Sequence, residues 1–136
     1  MVEAVRLAFD AIGLCQVQYD QVDNLWGYFS VVTLAVVGFV VSRDKAVRSM
    51  RESFAIVAAY IVFCISNNIA LYKGQKLLYA LAERAMELSG AANIPLPELR
   101  PLSPAAVWAC HLSMIVAVSL GTLLVAFYRV RAGQKA

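Results

Sequence analysis

The 136 residues are 61% apolar and only 15% charged, with a net charge of +3 and three cysteines. A soluble domain averages about 45–50% apolar and about 25% charged, so both departures favour an exterior that faces lipid. They exclude a disordered chain, which needs low hydrophobicity and high net charge, and an even disulfide framework of the secreted kind.

In residues 1–23, Val2, Val5, Phe9, Ile12, Gln16 and Tyr19 recur at helical spacing, while Glu3, Arg6 and Asp10 share another face. An amphipathic N-terminal helix is expected there. Leu7 and Leu14 sit off the stripe and are available to a second surface. The segment is acidic rather than basic, so no cleavable signal peptide is expected. Residues 25–42 carry no charge. A bilayer core of about 30 Å takes about 20 such helical residues, which makes this the first expected span. Trp26 and Tyr28 open it with rings that favour the headgroup level. Residues 43–52 form a basic loop with Arg43, Lys45, Arg48 and Arg51, suited to anionic headgroups.

The second expected span is residues 53–72, again uncharged and closed by Tyr72. Its helical character does not end there. From Ala46 to Ser89 there is no proline, and Gly74 is the only glycine. A helix of about 44 residues is about 66 Å long, more than twice the hydrocarbon thickness. Tyr60, Cys64, Asn67, Leu71, Gly74, Leu78, Leu81, Ala85 and Leu88 follow alternating steps of four and three. Such a seam belongs to a left-handed helix pair or coiled coil. Lys76, Glu83 and Glu87 lie opposite it, so residues 73–89 are expected to project into water and pack on a partner. A bend at Gly74 would instead lay them flat on the lipid surface. The N-terminal helix, on the same side, is the natural partner.

Residues 90–103 contain three prolines and are expected to be an extended strap. The third span, 104–128, starts on Ser103 and Pro104, a hydroxyl cap followed by a proline at the first helical position. Trp108 and Tyr128 flank it, and residues 129–136 form a short basic tail. Three spans place Arg43, Lys45, Arg48, Arg51, Arg129, Arg131 and Lys135 on one side, against Arg6, Lys73, Lys76, Arg84 and Arg100 on the other. The positive-inside rule then puts the N-terminus outside and the C-terminus in the cytoplasm of a plasma membrane of the bacterial inner-membrane type.

Ser66, Asn67 and Asn68 are the strongly polar cluster within a span. Amides in hydrocarbon need partners, so they serve either as interhelical hydrogen-bond donors or as the lining of a polar path through an oligomer. His111 lies about two turns into the third span and is a possible polar membrane site. No span contains a carboxylate and the chain has one histidine, so neither a proton relay nor a metal site is expected. Cys15, Cys64 and Cys110 lack metal-ligand spacing. Ser113, Ala117 and Gly121 form a small-residue ridge for close helix packing. No phosphate loop, carboxylate pair or nucleophile triad is present, so no catalytic residue or cofactor is expected. Nucleic-acid binding has no motif behind it.

These features describe an all-α integral membrane protein with three transmembrane helices, the second extending beyond the bilayer, and an N-terminal amphipathic helix. Its expected partners are the bilayer, itself or other membrane subunits, and its expected role is assembly through the long second helix. Three spans, an outside N-terminus and a short basic C-terminal tail resemble one class of phage holins in topology and size. That resemblance implies an oligomeric pore; the alternative role expected for the chain is such a pore, with the second helix lining it and Asn67 or Asn68 at the constriction.

Overall fold

The computed structural model describes residues 2–42, 49–96 and 100–133. They form α1 (Val2–Ser42), α2 (Met50–Ala91) and α3 (Pro104–Gly133), with no strand among the described residues. Each of these helices is long and apolar enough to cross a membrane. Arg43, Lys45 and Arg48 of the basic loop, Pro97 of the strap and Lys135 of the tail lie outside the described residues.

Local chemistry accounts for the helix ends. Ser49 caps α2 by accepting a bond from the Glu52 amide at 3.3 Å, in a Ser-x-x-Glu capping sequence. Ser103 caps α3 in the same way through the Ala106 amide at 3.2 Å, with Pro104 following. α2 stops where Asn93 adopts a φ of 54°. There the Asn93 amide donates to Gly90 O at 3.1 Å and the Ile94 amide to Ser89 O at 2.9 Å. This paired bonding satisfies the last carbonyls, and asparagine tolerates the left-handed region better than most residues. The strap therefore begins beyond Ala91, not at the expected Gly90, because Asn93 and Pro95 stop the helix and Gly90 does not.

One join differs from expectation. α1 is one helix of 41 residues, with no break between an N-terminal helix 1–23 and a span 25–42. Polarity changes near Asp23 and Asn24, but no proline interrupts the backbone, and polarity alone does not end a helix. α2 likewise continues through Gly74 without the alternative bend.

The chain divides into two compact units, residues 1–26 with 69–108 and residues 27–68 with 109–136. The first unit centres on Cys15, Val22, Leu71, Leu78, Ala82 and Val107, with Leu25, Trp26 and Leu81 packed against them. Gly74 admits α1 closely, since a Cβ there would lie 3.2 Å from Val22 Cγ2. Gln18 seals this approach by donating from Nε2 to Gly74 O at 3.1 Å. Ala8 and Ala85 are also fully buried. Two of the buried positions of α1 in this unit, Ala8 and Cys15, are small, and the expected stripe is corrected. Val2, Phe9, Gln16 and Tyr19 are exposed, Val5 and Ile12 are half-buried, and Ala8, Cys15, Gln18 and Val22 turn inward. Close backbone approach favours alanine and glycine over the bulkier residues that hydrophobic ranking selects.

The second unit mixes polar side chains into its interior and turns large apolar ones outward. Its buried positions include Thr33, Ser53, Tyr60, Asn67, His111 and Thr122 beside Phe29, Val40, Val57, Cys64 and Ala126. Its exposed positions include Val31, Leu34, Phe54, Val62, Ile65, Leu120 and Leu124, each more than half exposed. Soluble proteins rarely present contiguous apolar surface on this scale.

Candidate functional site

The seam of α2 is buried within the chain. In the second unit, Ser53, Val57, Tyr60, Cys64 and Asn67 point inward; in the first, Leu71, Gln75, Leu78, Ala82, Ala85 and Ser89 do. From Ser53 to Ser89 ten steps cover 36 residues, or 3.6 per step, because two four-residue steps meet at Leu71. That is the period of a straight α-helix, whereas a supercoiled pair needs 3.5. The expected Gly74, Leu81 and Leu88 are accordingly only half-buried, and their neighbours Gln75, Ala82 and Ser89 take the inner positions. The seam shifts because a fixed four-three alternation drifts about 20° per heptad on an unsupercoiled helix.

Within the second unit the seam is polar as well as tight. Thr33 Oγ1 and Tyr60 OH are 3.0 Å apart in a buried hydrogen bond. Asn67 is 8% exposed, and its Nδ2 has no hydrogen-bond partner among the described residues. Asn68 is half-buried. His111 is fully buried, with its ring 4.0 Å from the Phe29 ring at 49°. The histidine therefore packs on an aromatic face inside the unit.

The small-residue ridge remains open. Ser113, Ala117 and Gly121 are exposed along α3, and Ser113 Oγ donates back to Cys110 O at 2.8 Å. Ala117 and Gly121 line an apolar groove of about 310 Å³ with Val37, Val40, Val41 and Val125. Beside it Arg129 donates to Val40 O at 2.7 Å and Val41 O at 3.1 Å, near the end of α1.

A second hollow, which sequence reasoning missed, lies in the first unit. This cleft of about 260 Å³ is lined by Tyr19, Asp23 and Trp26 of α1, Gln75 and Leu78 of α2, Arg100 and Leu102 of the strap, and Val107 of α3. Buried Gln75 donates from Nε2 to Leu102 O at 2.6 Å and so fixes the strap to α2. Asp23 and Trp26, three residues apart on one helix face, carried part of the signal. Arg100 comes from an irregular segment, where no periodicity could point to it. In the same unit the Cys15 thiol is 7% exposed, and burial pushes it up from its ordinary range.

Among the described residues no three His, Cys, Asp or Glu side chains gather as a metal site would require. No known protein family, curated protein or solved structure matches this chain.

Proposed function

We propose that the chain is a small, non-enzymatic integral membrane protein that works by assembly, with itself or as an accessory subunit of a larger membrane complex. The observation that carries this reading is the polar inside and apolar outside of residues 27–68 with 109–136, where five polar side chains share the interior and large apolar side chains cover the surface. Thr33, Ser53, Asn67, His111 and Thr122 are inside beside Phe29, Val40 and Val57, while Val31, Leu34, Phe54, Val62, Ile65, Leu120 and Leu124 are outside. Lipid rewards that arrangement and water penalises it. The bias of basic residues supports an outside N-terminus and a cytoplasmic C-terminus in an inner-membrane-type bilayer.

The seam of α2 is occupied within the chain, so the surface for partners is what that seam leaves outside. The Ser113–Ala117–Gly121 ridge permits the close backbone contact through which membrane helices associate. The test is the mass of the protein in a mild detergent, measured by light scattering with the detergent subtracted. A dimer or higher species, or a co-purifying subunit, is expected, and Gly121→Leu should weaken that association about tenfold or more. A strict monomer that purifies alone overturns the reading.

The pore reading draws support from Asn67 and Asn68 at mid-span. However, Tyr60, Cys64 and Asn67 face their own chain, which leaves little polar surface to line a channel. In liposomes the Asn67→Leu/Asn68→Leu variant is therefore expected to leave ion flux unchanged.

A further inference from the structure

We propose that the cleft of the first unit binds a phosphoethanolamine group, a phosphate ester and a primary ammonium two carbons apart, as zwitterionic phospholipids carry it. Charge makes the first argument. Asp23 and Arg100 line one hollow from different elements. A ligand of a single sign is attracted by one of these side chains and repelled by the other, whereas a zwitterion satisfies both. The guanidinium offers a planar fork of donors that matches phosphate oxygens. The carboxylate accepts from an ammonium, whose charge is also favoured by the faces of Tyr19 and Trp26. Among the described residues Asp23 takes part in no ion pair.

Shape and position make the second argument. At about 260 Å³ the cleft is smaller than a pocket that encloses a drug-sized ligand, about 300–1,000 Å³, so it suits a headgroup and not a whole lipid. Leu78 and Val107 give it an apolar floor on which the ester end of the ligand would lie. The Gln75 bond to Leu102 O ties the chain to α2 two residues from Arg100. Trp26 and Val107 sit at the start of the uncharged runs of α1 and α3, the depth at which headgroups lie. This last point rests on the membrane reading above, while the charge argument does not.

The experiment is native mass spectrometry of the full chain in a mild detergent, offered equal amounts of phosphatidylethanolamine and phosphatidylglycerol with the same acyl chains. The wild type is expected to retain the ethanolamine lipid about tenfold over the glycerol lipid. Asp23→Asn should abolish that preference, and Arg100→Gln should lower retention of both. Asp23 and Arg100 are exposed, so both variants are expected to keep wild-type helix content by circular dichroism. Free phosphoethanolamine at millimolar concentration separates the two sources of the group. If it displaces the lipid, a soluble compound is a sufficient ligand; if it does not, the lipid is the ligand; either outcome supports the headgroup chemistry. Equal retention of the two lipids by the wild type, or an unchanged preference in Asp23→Asn, overturns the proposal. A chain found wholly in the soluble fraction defeats the membrane reading instead, and binding of free phosphoethanolamine then tests the cleft by itself.

Discussion

At Gly74 a single missing carbon decides how closely α1 and α2 approach in the first unit. A Cβ there would stand 3.2 Å from Val22 Cγ2, 3.5 Å from Gln18 Nε2 and 3.8 Å from Leu25 Cδ1. Alanine gains about 1 kcal/mol of helix propensity over glycine, while Val22 must yield by a few tenths of an ångström. These effects oppose each other, so Gly74→Ala is expected to stay within about 1 kcal/mol of the wild type. Gly74→Leu overpacks the contact, displaces the Gln18 bond and should destabilise by about 1–3 kcal/mol. Reversible unfolding in mixed micelles, followed by circular dichroism, separates the two variants. Cys15 tests the same packing through pH. Burial raises its thiol above the ordinary range, so near about pH 8.5 the unfolded chain loses this proton first. The folded state then binds more protons than the unfolded one, and stability falls as pH rises. Cys15→Ala should flatten that fall between about pH 8 and 10, in the same unfolding measurement.

Among whole elements, α1 depends on help from another helix. Its last turn has no basic residue of its own. Arg129 of α3 supplies the cation and donates to Val40 O at 2.7 Å and Val41 O at 3.1 Å. The carbonyls of a helix C-terminus lack partners and carry partial negative charge, so a guanidinium there serves both needs. Arg129→Gln is expected to lower stability by about 1.5–3 kcal/mol and to speed amide exchange in the last turn of α1. Arg129→Lys should restore only part of the loss, since it keeps the charge but not the fork. This bond illustrates what a sequence conceals. The three helices were legible because proline and charge punctuate them, and the run through Gly74 was legible because nothing there breaks a helix. The inner face of α1 was not, because Ala8 and Cys15 matter for their small size and Phe9 advertises more hydrophobicity. The step of 3.6 in α2 was not either, since a four-three alternation over a few turns fits both periods. The cleft depends on Gln75 reaching Leu102 across 27 positions, a pairing that no local pattern encodes.

For the molecule as a whole, the decisive question is which solvent each unit meets, and exposed positions can answer it chemically. In the first unit, exposed side chains include Glu3, Arg6, Asp10, Lys76 and Glu83, with Arg84 paired to Glu87 at 2.6 Å. That ion pair is 59% and 69% exposed and adds little stability, but it belongs in water. In the second unit, Leu34 is 70% exposed and Val62 66%. If lipid covers the second unit and water the first, a charged maleimide discriminates between them even though both sets are open in the fold. With Cys15, Cys64 and Cys110 replaced by alanine, Glu83→Cys and Asp10→Cys in membranes should label at the rate of a free thiol. Leu34→Cys and Val62→Cys should label about tenfold or more slowly, because the charged reagent does not enter hydrocarbon. After solubilisation in denaturant all four should become equal, which shows that the difference lies in the solvent and not in the thiols. Equal labelling in membranes would mean that water reaches both units. The outward valines and leucines of the second unit would then need a protein partner, not lipid, to cover them.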